Sequence, residues 1–143
     1  MSSDVFQGID TSRHLVYLID DLPSNNTISE KMLAVTGLKT RSFTSAKEAL
    51  NAARTEKPDV ILLDILMPSM DGMAFLEALR DAPELSDIRV IIVSAVNEIS
   101  EMMQSKALGA CDYLTKPFTI DRLQEAVASQ LKPQRNNDNT QRQ

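Results

Sequence analysis

The hydrophobic pattern along the chain falls into two alternating kinds of segment. The first is a short run that stays apolar at successive positions. Leu15-Val16-Tyr17-Leu18-Ile19, Val60-Ile61-Leu62-Leu63 and Val90-Ile91-Ile92-Val93 are of this kind and rich in β-branched residues. A strand with one wet face alternates apolar and polar side chains, so unbroken apolar runs predict strands covered on both faces, as in a parallel sheet. Leu38-Lys39-Thr40-Arg41-Ser42-Phe43 and Cys111-Asp112-Tyr113-Leu114-Thr115 are more polar and suit the sheet edges. The second kind has helical spacing. Ser45 with Glu48 three residues on forms a capping box, and the helix it opens runs toward Glu56. Phe75, Leu76 and Leu79 make an apolar face after Gly72. Ile120, Leu123, Val127 and Leu131 recur at helical intervals behind Thr119, a suitable N-cap. Gly37 and Gly109 stand where helix C-caps are expected.

Strand and helix alternate five times, which predicts an α/β fold. Right-handed crossovers then give a doubly wound, five-stranded parallel sheet with helices on both faces. The segment 14–132 carries this pattern. Residues 1–13 are polar without a regular period and read as a flexible N-terminal extension. Residues 133–143 lack any large apolar side chain and read as a disordered tail or linker.

Composition narrows the function. A chain of 143 residues suits one domain, and 43% hydrophobic with 24% charged residues is ordinary for a globular one. A formal charge of −5 disfavours direct binding of nucleic acid, which rests on basic patches. No apolar run approaches the ~20 residues of a membrane span, and the polar start lacks a secretory signal. The cytoplasm is the expected compartment. One cysteine, Cys111, excludes an internal disulfide, and one histidine, His14, excludes a multi-histidine metal site. Cys111 is expected to be a small core residue and His14 a structural one.

In open α/β sheets, function gathers at the carboxyl ends of the strands. Here those ends carry Asp20-Asp21, Asp64, Ser94-Ala95 and Lys116-Pro117. Each has an ordinary explanation when taken alone: the aspartates as turn residues or N-caps, Ser94 as a cap, Lys116 as a surface charge. Together they describe a site. Gathered carboxylates repel one another unless a cation compensates. Their hard oxygens suit Mg²⁺ or Mn²⁺, held by few protein ligands and several waters. A lysine and a hydroxyl nearby would serve a bound phosphoryl group. The P-loop motif of nucleotide hydrolases is missing.

Five segments carry a resemblance to a known family. They are Leu18-Ile19-Asp20-Asp21-Leu22-Pro23, Asp59 to Asp64, Met67-Pro68-Ser69-Met70-Asp71-Gly72, Ile92-Val93-Ser94-Ala95, and Gly109 to Phe118. In order and spacing the chain resembles the receiver domain of two-component response regulators, from about His14 to Leu131. The resemblance implies a flavodoxin-like fold. It implies that Asp64 takes a phosphoryl group from a histidine kinase or phosphotransfer protein. It implies Mg²⁺ (or Mn²⁺) held by Asp21, Asp64 and the backbone carbonyl of Leu66, with Asp20 acting through water. Lys116 would pair with Asp64, Ser94 would bond the phosphoryl group with help from the Ala95 N–H, and Tyr113 would be the aromatic switch. The Lys116-Pro117 bond is usually cis in such domains. The fourth helix, fifth strand and fifth helix would form the switched face, and a homodimer through it is a further expectation. Lys106, Asp112 and Arg122 lie in the segments that relatives use for this.

Some positions depart from the commoner pattern. Leu22 replaces an acidic or polar residue, which should leave the metal site intact. Leu66 and Val96 cannot orient an attacking water, so slow self-dephosphorylation is expected. The domain is read as a phosphoryl-accepting signalling module and not a turnover enzyme. Two alternatives remain at this stage. One is a pseudo-receiver that binds partners without phosphorylation. The other is a Mg²⁺-dependent phosphatase with Asp64 as nucleophile, against which Leu66 stands where an acid–base Asp is usual.

Overall fold

The computed structural model describes residues 5–67, 70–95 and 109–132. Five parallel strands form the main sheet: β1 (Leu15–Ile19), β2 (Lys39–Phe43), β3 (Val60–Asp64), β4 (Arg89–Ala95) and β5 (Asp112–Lys116). Their order is β2-β1-β3-β4-β5, so the two polar strands are the edges, as their sequences predict. The helices are α1 (Pro23–Ala34), α2 (Ala46–Ala53), α3 (Gly72–Asp81) and a C-terminal α4 (Ile120–Leu131). Residues 96–108, where the sequence places its fourth helix, are outside the described residues.

The apolar strands are buried on both faces because each face meets a helical layer. Tyr17, Ile19, Ile61, Leu63, Val90 and Ile92 pack with Phe75, Leu76 and Leu79 of α3 and the alanines of α2. Val16, Leu18, Leu62, Ile91 and Val93, one position out of phase, pack with Leu33 of α1 and Leu123 and Val127 of α4. Successive side chains on a strand point to opposite faces, which produces this division. The caps act as the sequence predicts: the Ser45 hydroxyl accepts from the Glu48 N–H, and the Thr119 hydroxyl from the Arg122 N–H.

Two features lie outside the repeating pattern, the contacts of residues 5–13 and the place of Cys111, which differs from the sequence expectation. Phe6 is buried against the α1/α4 layer. Asp10 caps a short 3-10 turn at Thr11–Arg13, and the Thr11 hydroxyl donates to the Thr36 carbonyl at 2.6 Å. Cys111 is exposed and not in the core. It precedes β5 just after the Gly109 turn, where its backbone N–H donates to the Val90 carbonyl at 2.8 Å and its thiol donates to the Gly109 carbonyl at 3.9 Å.

Candidate functional site

The sheet order dictates where a site can form. From β1 the chain crosses outward to β2, then returns past β1 to β3. The helix after β1 lies on one face and the helix after β3 on the other. The connections therefore diverge and leave a crevice at the carboxyl ends of these neighbouring strands. Asp20 and Asp21 follow β1 directly, and Asp64 ends β3. One carboxylate oxygen from each lies within 4.8 Å of the other two.

Strand alternation sorts the rest. Asp64 is in phase with Val60 and Leu62, and Lys116 with Leu114, all on the α1/α4 side of the sheet. Asp20 follows in phase with Val16 and Leu18. Lys116 ends β5, and its Nζ lies 3.2 Å from Asp64 Oδ2 and 3.5 Å from Asp20 Oδ2. The two carboxylates keep only 12% and 10% of their side-chain exposure, against 34% for Lys116. Burial works against the Lys116 charge, but Asp64 and then Asp20 outweigh it and hold the ammonium above its ordinary range. The Lys116-Pro117 bond is cis, as the resemblance implies.

Asp20 is fixed by the first turn of α1. Its Oδ1 accepts from the Leu22 N–H at 3.0 Å and its Oδ2 from the Asn25 side-chain amide at 3.0 Å. The Asn26 amide, buried, donates to the carbonyls of Asp20 at 3.2 Å and Phe43 at 3.0 Å. Sequence reasoning missed both asparagines. The available signal was two polar amides in the first helical turn after an acidic pair.

Three carboxylates cluster at one ammonium here. The donors are hard oxygens at a crevice, so the set fits a small divalent cation such as Mg²⁺. Leu66 lies in a two-residue antiparallel ladder, Leu66–Met67 with Met70–Asp71, directly beyond Asp64. α3 then starts at Gly72, where a Cβ would lie 2.6 Å from the Ile65 carbonyl oxygen. Only glycine lets that helix seat so close behind the acid of β3.

Ser94 and Tyr113 belong to the other face. Ser94 is in phase with Val90 and Ile92, and Tyr113 packs, half-buried, against the same cluster. Tyr113 is paired with Ile92 and Ser94 with Thr115. The Ser94 hydroxyl is buried and finds no hydrogen-bond partner among the described residues. Ala95 is paired with Lys116. Arg122 is engaged within the chain, 3.5 Å from Asp112 and donating to the Tyr113 carbonyl at 3.1 Å. Lys106 and Val96 lie outside the described residues. His14 sits at the opposite end of the sheet, 3.3 Å from Asp59, whose carboxylate also accepts from the Leu15 N–H. It takes no part in the site.

Residues 16–128 match the family described as the response regulator receiver domain. The chain belongs to that family. The receiver is 39% identical over 116 residues to the DNA-binding transcriptional regulator NtrC of Klebsiella pneumoniae, covering 81% of this chain and 24% of that protein. It is 33% identical over 116 residues to sporulation initiation phosphotransferase F of Bacillus subtilis, covering 81% of this chain and 92% of that one. Among solved structures it is similar to a putative response regulator from Chloroflexus aurantiacus, with a TM-score of 0.78 and 29% identity, covering 82% and 97% of the two chains. The receiver thus spans about a quarter of the length of NtrC and nearly all of the shorter relatives. As a receiver domain it is a phosphoryl-accepting signalling module.

Proposed function

We propose that Asp64 accepts a phosphoryl group from a histidine kinase or phosphotransfer protein and that the modified domain presents an altered binding surface. The observation that carries this is the placement of one acid, Asp64, within reach of two more carboxylates and the Lys116 ammonium. A carboxylate oxygen of Asp64 attacks the phosphorus of a phosphoimidazole. The O–P bond forms as the N–P bond breaks, and the imidazole leaves with the electron pair. Lys116 moves its hydrogen bond from the carboxylate to a phosphoryl oxygen. The buried Ser94 hydroxyl, which has no partner among the described residues, supplies another donor, helped by the Ala95 N–H.

The residues that would hold the metal are Asp21, Asp64 and the Leu66 carbonyl directly, with Asp20 through water. Magnesium would neutralise the acidic cluster and the incoming phosphoryl charge. Asn25 and Leu22 keep Asp20 facing the cluster.

When Ser94 turns toward the phosphoryl group it vacates part of the face it shares with Tyr113. The Tyr113 ring then turns inward, and the surface of β5 and α4 changes shape. The new hydrogen bonds supply the differential interaction that a population shift requires. That surface offers a homodimer contact through Asp112 and Arg122 once their internal pairing is exchanged. Among the described residues no helix is long and apolar enough to cross a membrane, and we place the domain in the cytoplasm. Beryllium fluoride with Mg²⁺, which mimics the phosphoryl group, tests the site. Binding lost in Asp64→Asn and weakened in Ser94→Ala is expected. Equal binding by all three proteins would overturn the assignment.

A further inference from the structure

The acids of the cluster are not held alike. Asp21 makes no hydrogen bond or ion pair among the described residues. Asp20 is held at both oxygens: Oδ1 accepts from the Leu22 N–H and Oδ2 from the Asn25 amide, each at 3.0 Å. Lys116 reaches the same Oδ2 at 3.5 Å, a weak contact, and lies closer to Asp64, at 3.2 Å. Asn25 is therefore the side chain that fixes Oδ2. The backbone behind it is fixed separately. The buried Asn26 amide donates to the carbonyls of Asp20 and Phe43, which ties the start of α1 to the ends of β1 and β2. Asn25 acts on the carboxylate, and Asn26 on the chain that carries it. A cavity of about 410 Å³ opens beside this turn, with Asn25, Asp20, Asp64 and Lys116 at its polar end. Its other walls are mainly apolar and include Leu18, Ile28 and Met32, so an apolar side chain at position 25 can be housed there.

We propose that Asn25 is a positioning residue for the metal: by holding Asp20 Oδ2 it keeps that carboxylate from ligating the cation directly, and so makes the site prefer Mg²⁺ to Ca²⁺. The proposal rests on the divalent-cation reading above. The carboxylates alone do not set this preference, because both cations accept hard oxygens. Ligand number and rigidity do. Mg²⁺ keeps several of its waters and takes few protein oxygens, whereas Ca²⁺ takes roughly six to eight oxygens in a flexible arrangement. With Asp20 tied to the first turn of α1, the cluster offers Asp21 and Asp64 as carboxylate ligands and Asp20 as an acceptor for a bound water. Without the amide, Oδ2 is free to turn onto the cation and supplies the extra ligand that the larger ion uses. Outer partners of this kind typically change metal affinity by ~10–100-fold. Asn25 also keeps its hold when Lys116 turns to the phosphoryl group, so the position of Asp20 does not depend on the lysine.

The test is a calorimetric titration of the whole chain with MgCl₂ and, separately, with CaCl₂, without phosphodonor. The parent is compared with Asn25→Leu, which removes the amide at similar volume, and with Asn25→Ala, which removes it with less bulk. Ser24→Ala, exposed in the same turn, is the control. Urea unfolding without metal establishes that each variant is folded. The readout is the ratio of the two affinities. A turn that is merely distorted weakens both cations together and leaves this ratio where it was. Expected is a Mg²⁺ preference in the parent that falls about tenfold in both Asn25 variants and stays in Ser24→Ala. In an Asp20→Ala background, Asn25→Leu should leave the ratio unchanged, because Asn25 acts through Asp20. A ratio unmoved in both Asn25 variants, an equal change in Ser24→Ala, or a change that persists without Asp20 would each overturn the proposal. Beryllium fluoride binding with Mg²⁺ is measured apart. A parent that binds neither cation removes the metal reading and the proposal with it. Normal Mg²⁺ and beryllium fluoride binding with an unmoved ratio removes this inference alone.

Discussion

At Lys116 one ammonium answers two nearly buried carboxylates, and this sets a pH dependence. Burial opposes its charge, yet Asp64 and Asp20 raise its folded pKa above the ordinary 10.5. A raised folded pKa means the stabilisation is complete below the unfolded value and is lost as pH rises through the folded one. Urea unfolding across pH should therefore show Lys116→Met flatter than the parent on the alkaline side, above about pH 10. At neutral pH the same variant leaves the carboxylates without their cation. Its stability should be lower than the parent's and should recover more strongly on adding Mg²⁺. An alkaline limb of equal steepness in both proteins would show that the ion pair contributes nothing. Leu66 carries a second residue-scale prediction, from chemistry alone. In Leu66→Asn/Val96→Glu the Asp64 phosphate should decay faster, followed by loss of the phosphorylated mass with time. The acids, Lys116 and Ser94 were legible in the sequence because each stands at a strand end, whereas Tyr113, inside β5, was singled out only by the family resemblance. Asn25 and Asn26 were not legible, because an amide in a first helical turn looks like any polar surface residue until the fold turns it onto Asp20.

Among the elements, the start of α3 is the most tightly specified. A methyl group at Gly72 would meet Ile65 backbone at 2.6 Å for the carbonyl oxygen and 3.0 Å for Cα, and no side-chain rotation relieves that. Gly72→Ala should cost about 1–3 kcal/mol in denaturant unfolding. It should also slow phosphoryl uptake, because the helix and the end of β3 must part. The motif that identifies the family in the sequence thus has a steric reason for its glycine. The strands were easy to read because both of their faces are covered. α1 was hard: it exposes Ile28 and caps its start with Leu22, which makes no side-chain cap bond, so it shows no clean apolar stripe. The contact of the N-terminal segment was not legible for a related reason. A single buried aromatic, Phe6, docks it, and one residue makes no periodic signal. Phe6→Ala should lower stability by roughly 3 kcal/mol, while an unchanged unfolding midpoint would mean that the segment adds nothing to the fold.

Over the whole molecule, the two sides of the sheet do different work. Asp20, Asp64 and Lys116 project toward α1 and α4, where acid, ammonium and the apolar cavity meet. Ser94 and Tyr113 belong to the other side, against the α3 cluster. In the proposed switch a phosphoryl group on Asp64 would bond Lys116 on one side and Ser94 on the other, which would let a local charge change reach a surface formed by β5 and α4. The sheet order made the meeting place predictable, since only β1 and β3 are neighbours with diverging connections. The central claim is that Asp64 is the phosphoacceptor and needs a divalent cation. Intact-mass analysis after incubation with acetyl phosphate and Mg²⁺ tests it directly, with Asp64→Asn in parallel. One phosphoryl addition in the parent, absent without Mg²⁺ and absent in Asp64→Asn, is the predicted result. An addition that persists in Asp64→Asn, or none in a parent that also fails to bind beryllium fluoride, would contradict it.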